Sequence, residues 1–258
     1  WENMDLLVEE YIDGDEVDID IILQNGKIKF HTISDNFNKS KDKFFIDSGQ
    51  AIPSGLPEID QKKLIDLAEE TLEKLDIQNA IIHYEAKISK GVAYPIEVNL
   101  RMGGDYIPSY IKGAWGISFV EYAAKIALGI HIKIEPPIQP LKYIVGWDLQ
   151  PEFSGILAEL DIDEKLKIKK YLEDMRMMKE IGDPVLHPPE GYDSLGWITV
   201  SGDNLLDAQD NLREALGYIK YKIVQFDSES TLGKTARKSS FSAAVIRKDR
   251  LIEKAKIE

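Results

Sequence analysis

Two stretches of this chain alternate strictly between apolar and polar side chains. In one, Val17, Ile19 and Ile21 alternate with Glu16, Asp18 and Asp20; in the other, Tyr94, Ile96, Val98 and Leu100 alternate with residues that include Glu97, Asn99 and Arg101. A period of two is that of a strand with unlike faces. The wider pattern predicts strands at Leu6–Ile12, Glu16–Leu23, Lys27–Ile33, Ala80–Ile88 and Ala93–Leu100. Asp13-Gly14-Asp15 joins the first two, and Asn25-Gly26 and Lys90-Gly91 carry turn chemistry. Ser34 to Pro57 reads mostly as loop, with an apolar insert at Phe44-Phe45-Ile46.

Helical spacing comes next. Leu64, Leu67, Ala68, Leu72 and Leu75 form one stripe, which predicts a helix over Asp60–Leu75. A second is expected at Phe119–Leu128, closed by Gly129. Beyond Pro136, Pro137 and Pro140, strands are expected at Lys142–Asp148, Ser154–Leu160 and Leu195–Ser201. A helix follows from about Leu205 to Ile219, capped by Asp203 or Asn204. Strands and helices do not alternate regularly, so the expected class is α+β. The prolines set the expected boundaries: a first domain over 1–135, a smaller α+β domain over 136–228 and a basic tail over 229–258.

Charge narrows the functions. The chain has 45 acidic and 32 basic residues, a net charge of −13, which argues against a general polyanion binder and so against nucleic acid. Only the tail is basic, with eight Lys or Arg against four Asp or Glu. There is no cysteine, so disulfides, thiolate metal sites and Cys nucleophiles are excluded. No apolar run approaches the ~18 residues of a membrane helix, and no signal peptide is visible. The default expectation is cytoplasmic, with no membrane partner. The start at Trp1 suggests a processed or truncated N-terminus.

The second alternating strand carries candidate chemistry. A turn centred on Gly91 sets Glu85 opposite Glu97 and His83 opposite Asn99, all on one face. Ile82, Tyr84, Ala86 and Ile88 with Ile96, Val98 and Leu100 then form the core face. Directly opposed carboxylates repel; a divalent cation between them reverses the sign. Carboxylate and amide oxygens suit Mg2+, which keeps waters and takes substrate phosphates as further ligands. Glu85, Glu97 and Asn99 are therefore candidate metal ligands, and Arg101 is placed to hold a phosphate or carboxylate. Gly103, Gly104 and Asp105 are candidate substrate-binding residues, the glycines letting backbone N–H groups approach an anion. The competing reading is a solvated sheet face. His83 reads as a hydrogen-bonded neighbour, and Glu16, Asp18 and Asp20 as a half-exposed strand. The stretch from Asp13 fails as a calcium loop, because Asp18 stands where glycine is needed.

Two segments together, "LLVEEYIDGDEVDIDIIL" from Leu6 and "HYEAKISKGVAYPIEVNLRMGGD" from His83, resemble the C-terminal half of an ATP-grasp domain. The likeness is to the carboxylate–amine ligase branch, which includes L-amino-acid ligases and carnosine-synthase-like enzymes. "FFIDSGQAIPSGLP" from Phe44 resembles the segment between, with Gln50 where many members carry His, and Ser154 to Val224 resembles the domain that follows. The resemblance implies an adenine-receiving hinge at Glu9, Glu10, Tyr11 and Ile12, and a ribose-binding acid at Glu16. It implies Mg2+ (or Mn2+) on Glu85, Glu97 and Asn99, with Arg101 as the catalytic arginine on the transferring phosphoryl group. ATP and small carboxylate and amine substrates are the implied partners, joined through an acyl phosphate. The family's earlier half precedes these motifs, so the chain is expected to lack it and to be incomplete for activity; a homo-oligomer is left open. The alternatives are a purine-pathway or carbamoyl-phosphate-type enzyme of the same fold, and a non-catalytic nucleotide-binding or assembly module.

Overall fold

The computed structural model describes residues 7–38, 47–188 and 191–225. In chain order the elements are β1 (Asp15–Gln24), β2 (Lys27–Asn38), β3 (Asp47–Ile52), α1 (Glu58–Lys74), β4 (Ala80–Ser89), β5 (Val92–Asn99), α2 (Ile107–Trp115), α3 (Phe119–Ala127), β6 (Tyr143–Leu149), β7 (Gly155–Ile162), β8 (Leu172–Met177), β9 (Pro184–Val185), β10 (Gly196–Gly202), α4 (Leu205–Gly217) and β11 (Ile219–Gln225). They fall into two compact units: Trp1–Asn36 with Ile52–Ile138, and Phe37–Ala51 with Gln139–Glu258. The pairings β1–β2, β1–β4, β4–β5, β6–β10, β8–β10, β7–β11 and β7–β9 are antiparallel, in keeping with the expected α+β class.

In the first unit the strands run β5-β4-β1-β2. Both turns expected from sequence form: Asn25 and Gly26, and Lys90 and Gly91, all take positive φ, as a two-residue type I′ hairpin loop requires. One sheet face buries Val17, Ile19, Ile21, Ile82, Tyr84, Ala86 and Ile88 against Leu64, Ala68 and Leu72 of α1. The Tyr84 hydroxyl is met by Thr71 at 3.0 Å, so the buried phenol keeps a partner. The other face is covered in part by α2 and α3. Phe30 packs edge-on against Trp115 and Phe119, and the Trp115 indole donates to Thr32 Oγ1 at 2.9 Å. Ser118 caps α3, and Gly129, with φ 69°, ends it as expected. The segment after α3 is tied down by Gln24, which donates to Ile130 O at 2.8 Å and accepts from Ile132 N at 2.9 Å.

The reading of a half-exposed strand holds for Glu16, which is half-buried, and is corrected for Asp18 and Asp20. β1 lies between β4 and β2 and is covered on both faces, so Asp18 is 2% and Asp20 0% exposed. α2 had no counterpart in the sequence reading. The expected strand Leu6–Ile12 is not formed over residues 7–12, where Leu7 and Val8 are exposed; Leu6 lies outside the described residues. The expected loop from Ser34 instead extends β2 to Asn38 and contains β3. Phe44, Phe45 and the basic tail lie outside the described residues.

In the second unit the strands run β3-β6-β10-β8, with a three-stranded sheet β11-β7-β9. Val145, Leu149, Ile198 and Val200 meet Ala208, Leu212 and Ala215 of α4. Of the two candidate caps, Asn204 is the one used: its side chain accepts from Asp207 N at 3.0 Å. Among the described residues no helix is long and apolar enough to cross a membrane.

Candidate nucleotide and metal site

Register across β1, β4 and β5 builds the site. Asp20 pairs with His83 and His83 with Asn99; Asp18 pairs with Glu85 and Glu85 with Glu97; Glu16 pairs with Lys87 and Lys87 with Tyr94. Three strands thus place three polar rows on one face, and three carboxylates share the middle row. The expected opposition of Glu85 and Glu97 is present, but through a different geometry. The two-residue turn sets Ala86 opposite Pro95, and a bulge between Glu85 and Ala86 restores the pairing. The bulge corrects the expected core face. Ile96 and Leu100 are exposed, and Ala93 joins Val98 against the core instead.

His83 is the hub of these rows. Its Nδ1 lies 3.0 Å from Asp20 Oδ1, and its Nε2 lies 3.8 Å from Asp18 Oδ2 and 3.9 Å from Glu85 Oε1. Asp18 also accepts from Asn36 Nδ2 at 2.8 Å. Burial pushes the Asp18 carboxyl up to about 7, against the pull of His83 and the Asn36 amide. Burial likewise raises Asp20, opposed by the His83 hydrogen bond, the Gly103 backbone and the Arg101 charge. Burial works against a charged His83, yet the surrounding acids outweigh it and its pKa is raised. Sequence reading missed Asp18 and Asp20 because a period of two does not say which face a helical layer will cover. Lys87, also buried, pairs with Glu16 at 3.0 Å and lies 5.0 Å from the Tyr11 ring centroid.

The expected site residues are not all in one environment. Glu85 is half-buried, Glu97 and Arg101 are exposed, and Asn99 is half-buried with its Nδ2 sealed and without a hydrogen-bond partner. Among the described residues no basic side chain pairs with Glu97. Arg101 donates to Met102 O at 2.9 Å, and its charge reaches Asp20. Gly103 is buried, and a Cβ there would stand 2.7 Å from Ile107 Cγ2 and 3.0 Å from His83 Nδ1. Glycine at this position allows close packing over His83. Gly104 has open space around it, and Asp105 is exposed with φ 46° just before α2. Glu9, Glu10 and Tyr11 are exposed and Ile12 half-buried in a stretch without regular secondary structure before β1.

Among the described residues no three His, Asp or Glu side chains form a ready metal cage. Glu85 and Glu97 in register, with Asn99 one step along the face, instead fit a cation that draws much of its shell from substrate and water, as Mg2+ does.

Residues 1–109 match the family model of the ATP-grasp domain. Over 140 residues the chain is 29% identical to carnosine synthase 1 of Gallus gallus, a match covering 54% of this chain and 14% of that protein. Among solved structures it is similar to the L-amino acid ligase of Bacillus licheniformis, with TM-score 0.73, 22% identity and coverage of 83% of this chain and 53% of that one. It is also similar to the phosphoribosylglycinamide synthetase of Anaerococcus prevotii, with TM-score 0.70, 17% identity and coverage of 83% and 55%. The two structural likenesses are of fold. The chain therefore spans about half of each solved relative and a seventh of the avian synthase. Over residues 1–109 the chain is thus similar to an ATP-grasp domain. The match to carnosine synthase 1 is in keeping with the carboxylate–amine ligase branch.

Proposed function

We propose that this chain serves an ATP-dependent carboxylate–amine ligase that works through an acyl phosphate. The observation that carries the reading is the in-register pair Glu85 and Glu97, with Asn99 beside it and no basic partner for Glu97 among the described residues. In this reading Glu85, Glu97 and Asn99 hold Mg2+, with Mn2+ as a substitute. The ion supplies charge neutralisation at the β- and γ-phosphates. Arg101 lies one step along the same face, where its guanidinium can meet the equatorial oxygens of the phosphoryl group. The γ-phosphoryl passes to a substrate carboxylate; an amine then attacks the acyl carbon and phosphate leaves, forming an amide. The stretch from Glu9 to Ile12 offers backbone groups to adenine, and Glu16 offers a carboxylate to the ribose hydroxyls. Glu16 is drawn toward Lys87 at 3.0 Å, so this role requires it to share that contact. Gly104, with open space around it, offers its backbone to the substrate anion, and Asp105, exposed just before α2, is a further substrate contact.

The matching stretch is a fraction of each relative, so the complete catalytic unit in this reading includes segments equivalent to the rest of those chains. The cytoplasm, where ATP and Mg2+ are at hand, is its expected setting. The test is phosphate release by the intact protein with Mg-ATP and pairs of amino acids, against glycine with a ribosyl amine and against bicarbonate. Release that requires two amino acids supports the proposal. Release with bicarbonate alone would replace it with a carbamoyl-phosphate-type activity, and release with the ribosyl amine with a purine-pathway one. Mg-ATP binding without turnover on any of them would favour a binding module.

A further inference from the structure

His83 is buried, sits two residues before Glu85 and has no assigned role in the proposed chemistry. We propose that His83 is a positioning residue that sets the Glu85 carboxylate toward Glu97, with Asp20 fixing the ring and Gly103 closing over it. This rests on the ligase reading above.

The geometry is specific. Asp20 is fully buried and presents Oδ1 to His83 Nδ1 at 3.0 Å, so the imidazole is anchored from the centre of the sheet. That anchor directs Nε2 to the gap between Asp18 Oδ2 and Glu85 Oε1, at 3.8 and 3.9 Å. Asp18, Glu85 and Glu97 lie in one row across three strands, each repelling the next. Nε2 is therefore placed between the first two members of that row, where it can restrain Glu85 against its neighbour. Gly103 keeps the ring from swinging: a Cβ there would lie 3.0 Å from Nδ1, so only glycine lets the backbone lie this close. Asp20 Oδ2 is sealed without a hydrogen-bond partner among the described residues. Such a costly arrangement needs a reason beyond stability, and orienting a ligand acid is a known reason.

The test uses the intact protein and two substitutions that divide the ring's two contacts. His83→Asn keeps an amide near Nδ1 for Asp20 and removes Nε2; His83→Gln carries its amide nearer the Nε2 position. Mn2+ binding in the presence of ATP is followed by electron paramagnetic resonance, alongside thermal unfolding and the separate kcat and KM for the carboxylate substrate. H83N should bind Mn2+ about 10–100-fold more weakly, lower kcat and leave the carboxylate KM unchanged. H83Q should recover part of the loss. Combined with Glu85→Gln, H83N should add little, since His83 acts through Glu85. Wild-type Mn2+ affinity in H83N, or an H83N loss that adds in full to that of E85Q, would overturn the proposal while leaving the ligase reading intact. Should H83N not fold, the same criteria apply to H83Q and its double variant, with partial weakening expected. Wild-type protein that binds no Mn2+ with ATP would overturn both.

Discussion

Each unit of the molecule buries carboxylates, and the two solve the problem differently. In the second unit Asp148 is met by neutral donors: Tyr192 Oη at 3.0 Å, Gln150 Nε2 at 3.0 Å and the Ser194 hydroxyl. Both of its oxygens are satisfied locally, and the cluster is closed. In the first unit Asp18 and Asp20 share one imidazole, one Asp20 oxygen is left sealed, and the row continues outward to Glu85 and Glu97. A buried acid that is fully hydrogen-bonded holds the fold. A row of acids whose outermost member, Glu97, has no basic partner among the described residues points to a cation brought from outside. Burial alone does not separate the two cases; the accounting of partners does.

The strongest way to break the comparison is to change the proposed metal ligands. Asn99→Ala and Glu85→Gln should each weaken Mg2+-dependent ATP binding by about 100-fold, or ~2.7 kcal/mol, as read by titration calorimetry. Stability should move by less than about 1 kcal/mol, since neither side chain is in the core. Asp148→Ala should do the opposite. It strands three donors in a closed network and should cost about 3 kcal/mol in urea unfolding, with Mg2+-dependent ATP binding of the folded protein unchanged. Equal loss of binding in D148A would erase the distinction.

The pH dependence sharpens the same contrast. Asp18 has a folded pKa of about 7 against an unfolded value near 3.8, so the folded state holds its proton more tightly. Its contribution is therefore full below the unfolded value and is lost as pH rises toward 7. His83 is also raised, so its contribution is fully present below its unfolded pKa and is lost as pH rises through the folded one. The thermal midpoint should fall between pH 5 and 8 by several degrees, and Asp18→Asn should flatten that slope. A slope unchanged in D18N would contradict the assignment. The smallest effect is expected at Gln24, whose two backbone contacts bind Ile130 and Ile132. Gln24→Ala should cost about 1–2 kcal/mol, seen as faster amide exchange after α3.

Much of this was legible in the chain. The Asn25-Gly26 and Lys90-Gly91 turns and the α1 stripe at Leu64, Ala68 and Leu72 are local signals, and each formed, while Leu75 of the expected stripe is exposed. What was not legible depended on distant layers. Nothing near Asp18 announces that its side chain will be buried, and α2 is a nine-residue helix with Pro108 in its first turn and Gly113 within it, a weak local signal. The bulge that moves Ile96 off the core face leaves no mark in a period-two pattern. The expected opposition of Glu85 and Glu97 was thus reached from a simpler turn than the one present. Leu7 and Val8 have strand-like composition without strand pairing, because a strand needs a neighbour as well as a pattern.

The most direct test is the affinity of the intact protein for Mn2+ in the presence of ATP, compared with Glu97→Gln. The account predicts tight binding in the parent, a loss of about 100-fold in E97Q and an unchanged thermal midpoint. Equal affinity in the two proteins would show that the opposed carboxylates do not share a cation.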